Sequence, residues 1–198
     1  MIYFKNLSKK EPYILLKKKY DEAIAINQDM VEAISISSFS KELDIVDSRY
    51  VNLKIVDNED FIFFSNYQSP KAKQFESHDQ ISALIYWSKI NVQIRMKAKI
   101  MKTSRNFTEQ YFLSRDSEKN ALAISSNQSN EIDSYKSVES KYMHTLKSAD
   151  LNQCPDYWGG YKFTPYFFEF WQGHEKRINK RLCYKLIDQN WAKYFVEP

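Results

Sequence analysis

Glycine is scarce in this chain, with only Gly159, Gly160 and Gly173 among the 198 residues. Dinucleotide-binding loops and the phosphate loops of nucleoside triphosphatases both need several glycines at fixed spacings. Neither loop can be built from three glycines in these positions. If the protein binds a phosphate group, side chains and ordinary backbone amides must hold it.

Metal-binding and membrane-spanning patterns are lacking as well. The two cysteines, Cys154 and Cys183, and the three histidines show no spacing typical of metal ligands. No apolar run reaches the roughly 18 residues of a membrane span, and residues 1–10 lack the apolar region of a secretory signal. Two unpaired cysteines suit a reducing compartment. We therefore expect a cytoplasmic protein without a metal and without membrane contact.

The charge balance is only mildly positive, at +4. Lysines cluster at 9–10 and 17–19, but acidic residues are scattered along the chain, and a nucleic-acid-binding protein usually has a stronger basic excess. The lysine cluster is better explained as a solvated helix face. A mild positive charge would still attract anionic small molecules.

Aromatic residues make up 16% of the chain, which favours a β-rich fold because aromatics pack well on pleated surfaces. Periodicity predicts helices at 12–28, 71–76, 107–114 and 137–148. It predicts strands at 31–38, 49–56, 61–65, 81–87, 92–101, 161–172, 182–187 and 191–195.

Short polar turns join several of these predicted strands, and the turn at 57–60 predicts a hairpin of 49–56 with 61–65. Ser69 is expected to cap the second helix, with Pro70 at its first position. Strands joined in this way, with helices inserted between them, indicate an α+β protein built on an antiparallel barrel of six or more strands. We expect one domain over 1–198, with ligand sites outside the barrel or between subunits.

The segment from Glu169 to Arg181 joins an aromatic strand end, a glycine and two arginines four residues apart. An indole offers a flat surface, and a guanidinium offers a fork of donors that suits phosphate. Taken singly, Trp171 is more often a core residue, and Arg177 and Arg181 are more often solvated. Their order in one stretch favours a site for a flat aromatic ligand that carries phosphate.

This segment and several others resemble the pyridoxamine 5'-phosphate oxidase family, FMN-dependent enzymes of vitamin B6 metabolism. The family pattern W-G-G-[FY]-R, E-F-W-Q-G and R-L-H-D-R has counterparts at 158–162, 169–173 and 177–181. Shorter matches occur at 49–54, 63–71, 92–94, 111–115 and 128–129, so the resemblance extends from about residue 31 to the end. It implies an FMN-binding split barrel with flanking helices.

The resemblance also implies roles for individual residues. FMN would be bound by Arg49, Val51, Lys54, Phe64, Ser65, Lys71, Gln93, Gln128, Ser129, Trp171 and Arg181. The substrate would be bound by Lys54, Tyr111, Arg115, Arg177 and Asn179, the last two being the catalytic positions. The family forms homodimers with flavin at the subunit interface, so residues 1–30 would be an arm and helix, and 155–198 the strands for dimerisation and flavin contact.

The implied reaction oxidises pyridoxamine or pyridoxine 5'-phosphate to pyridoxal 5'-phosphate, with O2 reduced to H2O2. The chain departs from the family pattern at Pro70 and Val92, which replace arginines, at Lys119, which replaces a serine, and at Asn179, which replaces a histidine. Asparagine cannot titrate near neutral pH, whereas histidine can. In addition, residues 1–11 show no clear counterpart of the family's N-terminal arm.

These departures affect the substrate side more than the flavin side. Two alternatives to the oxidase therefore stay open. One is a related split-barrel FMN oxidoreductase with another substrate, of the phenazine-pathway type, and the other is a non-catalytic protein that binds flavin or a B6 phosphate.

Overall fold

The computed structural model describes residues 1–198 and contains ten strands and five helices. The helices are α1 (Glu11–Ala25), α2 (Pro70–Ser77), α3 (Arg105–Leu113), α4 (Ser117–Ser125) and α5 (Tyr135–Ser148). The strands are β1 (Tyr3–Lys5), β2 (Ala33–Ser40), β3 (Ile45–Asn52), β4 (Ile55–Asp57), β5 (Asp60–Asn66), β6 (Gln80–Trp87), β7 (Val92–Lys102), β8 (Trp158–Gln172), β9 (Lys180–Ile187) and β10 (Asn190–Val196). This mixture confirms the predicted α+β class. None of the helices has the length and apolar character needed to cross a bilayer.

All strands belong to one sheet in the order β1-β4-β5-β8-β7-β6-β2-β3, with β9 added to β8 and β10 added to β9. The sheet is not closed. Every pairing is antiparallel except that of β1 with β4, which is parallel. Along one edge β8 pairs with β7, and along the other it pairs first with β5 and then with β9. Three groups of strands therefore meet at the long strand β8, beginning with β7, β5 and β9.

Aromatic side chains make up much of the hydrophobic core that packs against the sheet. Tyr13 of α1 meets Phe168 of β8 edge to face, with ring centroids 5.3 Å apart, and Phe61 stacks on Phe163 at 5.1 Å. All four side chains are fully buried. Burying such rings contributes most of the hydrophobic stabilisation of a small domain.

The predicted strand 49–56 is wrong in one respect, because the chain changes its pairing partner near the middle. The amide of Leu53 donates to the carbonyl of Glu32, next to β2, whereas the amide of Lys54 donates to the carbonyl of Ile62 in β5. β3 therefore ends at Asn52 and β4 begins at Ile55, with a corner at Lys54. The predicted hairpin with 61–65 is confirmed for β4 and β5.

Two further elements, β1 and α4, were not predicted. The cap of α2 also differs from the prediction, since the Ser69 hydroxyl donates to the carbonyl of Asn66 at 2.8 Å and does not accept a hydrogen bond from a backbone amide of the helix. Pro70 at the start of the helix is confirmed.

Candidate active site

A cavity of about 620 Å³ opens on the outside of the sheet, beside the corner at Lys54. Sites for small molecules commonly have volumes of about 300–1,000 Å³. Eight of the predicted site residues line this cavity: Val51, Lys54, Phe64, Ser65, Lys71, Tyr111, Arg115 and Gln128. They come from β3, the corner, β5, α2, the end of α3 and the loop after α4, so the fold gathers residues that are far apart in sequence.

Lys71 is the most unusual residue of the cavity, since only 8% of it is exposed. Its ammonium donates to the Ser65 hydroxyl at 3.2 Å, the Ser69 hydroxyl at 3.2 Å and the Gln128 side-chain oxygen at 3.1 Å. All three acceptors are neutral. Burial, and then the charge of Arg49, lower the pKa of Lys71 to about 8. A buried cation without a counter-ion is costly, so this arrangement is suited to an anionic ligand.

Arg49 is fixed beside Lys71 by a polar network. Its guanidinium donates to the Ser38 hydroxyl at 2.6 Å and to the Gln74 side-chain oxygen at 2.9 Å. Gln74 in turn donates to Asp47 at 2.5 Å, and burial lowers the pKa of Arg49. Ser38, Gln74 and Asp47 were not predicted as site residues from the sequence. A usable signal was the three-residue spacing of Lys71 and Gln74, which puts both on one face of α2.

A stack of flat side chains forms the opposite wall. The Phe64 ring lies parallel to that of Tyr111, with centroids 3.7 Å apart, and to that of Trp158 at 5.3 Å. The guanidinium of Arg115 lies 4.4 Å from the centroid of Trp158, a cation–π contact. The wall thus combines planar surfaces with a fixed positive charge.

Only some of the hydrogen-bond donors of Arg115 have a partner in the protein. One terminal nitrogen donates to the carbonyl of Lys119 at 3.0 Å, while the other, Nη1, is buried and has no partner. Burial also lowers the pKa of Arg115. Buried donors are nearly always paired, and Nη1 of Arg115, a residue that lines the cavity, is an exception.

The remaining predicted residues do not line this cavity. Gln93, Trp171 and Arg181 lie side by side on β7, β8 and β9, since Gln93 is in register with Trp171 and Trp171 with Arg181. Arg177 and Asn179 lie in the turn between β8 and β9. We call these five residues the β8–β9 group. Within one chain, the predicted site is therefore divided between the cavity and the β8–β9 group.

Arg181 is held by a buried carboxylate. Glu169, only 3% exposed, accepts hydrogen bonds from Arg181 at 2.7 Å and from Arg95. Burial alone would raise the pKa of Glu169, but the hydrogen bonds and charges of the two arginines lower it below its usual value. The bond to Glu169 is made by Nε of Arg181, and a terminal nitrogen, Nη1, donates to the carbonyl of Glu197 at 2.9 Å. The sequence analysis did not identify Glu169 or Arg95 as partners of Arg181.

The turn between β8 and β9 is organised by Asn179. Its side-chain oxygen accepts from the amide of His174 at 3.0 Å, which leaves its NH2 group as a possible donor to a ligand. Arg177 adopts a left-handed backbone with φ 62°, and its amide donates to the carbonyl of His174 at 2.8 Å. The Arg177 side chain is exposed.

Ser129 and Arg49 lie close to residues that line the cavity. Ser129 follows the cavity residue Gln128 with a left-handed backbone, φ 70°, and Arg49 lies behind the lining, near Lys71. The cations Arg49 and Lys71, with the hydroxyl of Ser65, form a donor set that fits the phosphate of FMN. The flat wall and the unpaired nitrogen of Arg115 fit a second anionic aromatic molecule.

Comparisons with known proteins show the fold and the family of the chain. A family model described as the pyridoxine 5'-phosphate oxidase C-terminal dimerisation region matches residues 158–198. Among solved structures, PhzG from Burkholderia lata, in complex with tetrahydrophenazine-1-carboxylic acid, superimposes with a TM-score of 0.90 at 21% identity over 96% of this chain and 93% of that one. At that identity the match shows the fold, and it confirms the predicted split barrel.

A second structure, a pyridoxamine 5'-phosphate oxidase-related FMN-binding protein from Nostoc punctiforme, gives a TM-score of 0.77 at 11% identity, covering 95% of this chain and 98% of that one. Curated relatives are closer in sequence. The pyridoxine/pyridoxamine 5'-phosphate oxidase 1 of Hydrogenovibrio crunogenus is 32% identical over 95% of this chain and 88% of its own length. The oxidase of Rhodopirellula baltica is 33% identical over 98% and 90%. The chain therefore belongs to the pyridoxine/pyridoxamine 5'-phosphate oxidase family.

Proposed function

We propose that this protein is an FMN-dependent oxidase that converts pyridoxamine 5'-phosphate or pyridoxine 5'-phosphate to pyridoxal 5'-phosphate. The proposal is carried by the buried Lys71, whose partners are all neutral oxygens, beside the partly buried Arg49, which also lies 3.7 Å from the carboxylate of Asp47. Membership of the oxidase family supports the reaction, and the FMN-binding relative supports the cofactor.

In this proposal the phosphate of FMN lies against Arg49, Lys71 and Ser65, with Gln128 and Ser129 beside it. Val51 and Phe64 provide apolar contact. When bound, FMN supplies two-electron redox chemistry between the substrate and O2. The protein's own contribution is to bind, orient and shield the reactants.

The substrate phosphate would be bound by Lys54, Tyr111 and Arg115, with the unpaired nitrogen of Arg115 donating to it. Burial raises the pKa of Tyr111, so its hydroxyl stays protonated at neutral pH and can donate as well. The aromatic wall of Phe64 and Trp158 would confine the flat ligands laterally. Several donors converging on one phosphate is the arrangement expected for charge-assisted recognition.

We further propose that each site is completed by a second copy of the chain, which supplies the β8–β9 group. The match of 158–198 to a dimerisation region supports this, because four of the five residues lie in that range. Gln93 and Trp171 would then contact the flavin ring, and Arg181, held by Glu169, would contact its polar edge. Arg177 would orient the substrate at the reacting face.

The reaction balances as a two-electron oxidation. Pyridoxine 5'-phosphate loses two hydrogens from its hydroxymethyl group, one from the carbon and one from the hydroxyl oxygen, and O2 becomes H2O2. For pyridoxamine 5'-phosphate, one water also enters and ammonia leaves. Asn179 can donate a hydrogen bond to the substrate but cannot take up a proton near neutral pH, so in this protein a proton released during oxidation must leave by another acceptor.

Visible absorption of the purified protein tests the cofactor, and peroxide release tests the reaction. We expect the bands of oxidised flavin, free FMN after denaturation, and peroxide on addition of pyridoxamine 5'-phosphate under air. A colourless protein that takes up no added FMN would contradict the proposal.

A related oxidoreductase with another substrate is the second candidate, favoured by the presence of Asn179 at a catalytic position. Reduction of bound flavin by a different metabolite, with no turnover of either B6 phosphate, would support it. Flavin binding with no reduction by any candidate metabolite would instead support the non-catalytic alternative.

A further inference from the structure

We propose that a small apolar cavity beside the β8–β9 group is a binding site for dioxygen, from which O2 reaches the flavin ring. The inference rests on the proposed function, because it assigns a place in the protein to the second reactant of that reaction. In the step that uses O2, two electrons and two protons pass from reduced FMN to O2, which becomes H2O2.

The cavity lies at the end of the sheet where three neighbouring strands terminate. β7 begins at Val92, β8 ends at Gln172 and β9 begins at Lys180, and all three residues line the cavity. Lys180 is the only exposed residue of the lining, so the cavity opens to solvent there. The other lining residues are Leu15, Lys19, Phe170, Trp171 and Leu182.

The same strands place the cavity next to the proposed contacts of the flavin ring. Trp171 belongs both to the lining and to the β8–β9 group. Val92 precedes Gln93 in the chain, and Leu182 follows Arg181. Because the three strands end here, O2 need not cross the middle of the sheet to pass from the cavity to the flavin.

The lining of the cavity is mostly apolar. Val92 and Phe170 form its buried end, with 1% and 5% of their surfaces exposed. Leu15 and Leu182 are partly buried side chains that pack against the core around them. A surface of this kind attracts a neutral apolar molecule and offers nothing to a phosphate.

The polar residues of the lining have partners elsewhere. The ammonium of Lys19 donates to Glu22 at 2.7 Å, and the side-chain NH2 of Gln172 donates to two backbone carbonyls just before β7, at 3.0 and 3.3 Å. The ammonium of Lys180 lies 5.7 Å from the ring centroid of Phe195. None of these partners lines the cavity, so the lining has few donors to hold water or an anion.

The size of the cavity fits a diatomic gas better than an organic substrate. Its volume is about 180 Å³, below the roughly 300–1,000 Å³ of most small-molecule sites. A comparable apolar cavity of about 150 Å³, lined by leucine, isoleucine and phenylalanine, stays dry and binds xenon. O2 is likewise small, neutral and apolar, and it is the one reactant of the proposed function with these properties.

Methyl NMR of the purified protein under O2 pressure tests binding without turnover, because O2 is paramagnetic and speeds the relaxation of nearby protons. We expect the methyl groups of Val92 to relax severalfold faster under O2 than those of Val56. Val56 is the matched control, since it is also a buried valine, 0% exposed, and does not line the cavity. Equal relaxation of the two valines would contradict the site.

Stopped-flow reoxidation of the reduced flavoprotein tests the role of the site. In Leu15→Phe the larger side chain occupies the cavity, so we expect the rate constant with O2 to fall about tenfold. Ferricyanide, a large anion that cannot enter the cavity, should reoxidise the flavin at the wild-type rate. Leu7→Phe, at another partly buried leucine packed against the core, is the control and should change neither rate.

Leu15→Ala provides the opposite change, because it enlarges the cavity instead of filling it. We expect this variant to react with O2 at least as fast as the wild type. Equal slowing of Leu15→Phe with O2 and with ferricyanide, or slowing of Leu15→Ala with O2, would contradict passage of O2 through the cavity.

The outcomes separate this inference from the proposed function. If pyridoxamine 5'-phosphate is oxidised but Leu15→Phe reacts with O2 like Leu7→Phe, the inference is wrong and the function stands. If the flavin is reduced only by another metabolite, and Leu15→Phe still selectively slows the reaction with O2, the function is wrong and the inference stands. A protein that takes up no FMN would overturn both.

Discussion

Lys71 shows how a single side chain can indicate a ligand. Its ammonium is buried next to another cation, and the protein offers it only neutral acceptors. Such an arrangement lowers the stability of the folded chain unless an anion completes it. The same reasoning applies to the unpaired nitrogen of Arg115.

The pH dependence of folding should reveal this cost in the flavin-free protein. The pKa of Lys71 is about 8 when folded, against an ordinary 10.5, so between these values the unfolded chain binds more protons. Stability contributed by this group should therefore increase as the pH rises from 8 to 10.5. Urea unfolding of the wild type and of Lys71→Met at several pH values measures the difference; parallel curves would contradict the assignment.

FMN affinity should show the opposite trend. Only the charged form of Lys71 attracts phosphate, so between the second pKa of the phosphate, about 6, and pH 8 the affinity should change little, and it should fall above pH 8, by at most about tenfold per pH unit. Fluorescence titration with FMN measures this. Riboflavin, which lacks phosphate, is the matched ligand control, and an equal decline for riboflavin would show that Lys71 is not the cause.

Gln74 should act as a positioning residue for Arg49. Gln74→Leu removes the acceptor of the guanidinium and the link to Asp47, and we expect FMN to dissociate about tenfold more readily, as for loss of a hydrogen bond to a charged group. Gln74→Glu keeps the acceptor but loses the donor to Asp47 and adds a carboxylate beside it, so the affinity should recover only in part. The exposed Gln153→Leu is the control; a similar loss there would contradict the role.

Arg49 and Arg177 should have different functions. Arg177→Ala is expected to lower turnover about a hundredfold, as for loss of an orienting contact, with flavin still bound. Arg49→Ala should instead release flavin, because the phosphate loses a charge-assisted contact. Flavin content after gel filtration, measured beside turnover, distinguishes the two. Loss of flavin from Arg177→Ala, or full retention in Arg49→Ala, would reverse the assignments.

β8 is the element on which the site depends, since it pairs with β5, β7 and β9 and contains both Trp158 and Trp171. The sequence pattern predicts this strand from residue 161 onward, but it does not predict the first three residues, 158–160, as part of the strand. The reason is local packing, because at Gly159 an added Cβ would stand 2.6 Å from Cζ of Tyr67. Glycine is needed there to let the Tyr67 ring approach the strand.

We expect Gly159→Ala to destabilise the protein by about 1–3 kcal/mol, the usual cost of overpacking. Removing the obstructing ring should relieve the clash, so the same change should cost less in a Tyr67→Ala background. Urea unfolding of the four proteins measures the coupling. If Gly159→Ala costs the same in both backgrounds, contact with Tyr67 is not why glycine is required.

Helix α4 illustrates what periodicity misses. It buries only Asn120 and Ala121, so its sequence has no continuous apolar stripe. Asn120 is held instead by the carbonyls of Phe112 and Leu151. These are contacts between distant segments, which local sequence cannot indicate. Similarly, the corner at Lys54 arises from contacts with two distant segments, because Leu53 hydrogen-bonds to Glu32 next to β2 and Lys54 hydrogen-bonds to Ile62 in β5.

The division of the predicted site between two regions is a property of the whole molecule. If two chains complete each site, a hybrid dimer of Lys71→Met with Arg177→Ala would contain one intact site and one doubly altered site. We expect it to recover about half of wild-type turnover, since a symmetric dimer has two equivalent sites. Co-expression with two affinity tags, followed by purification on both, isolates the hybrid.

The matched control is a hybrid of Lys71→Met with Arg115→Ala. Both residues line the same cavity, so neither site of that hybrid would be intact and turnover should stay low. Recovery in the control, or none in the first hybrid, would contradict a site built from two chains.

The sequence by itself determined the α+β class, most strands and the family, because alternation and the W-G-G and E-F-W-Q-G motifs are local features. It also identified Lys71 and Arg115 as candidate ligand-binding residues. Only the tertiary structure decided that Lys71 lacks a carboxylate partner, that Gln74 and Glu169 hold two of the arginines, and that Lys119 lines the same cavity as Lys71. Burial and pairing depend on which distant segments the sheet brings together, and spacing along the chain does not encode them.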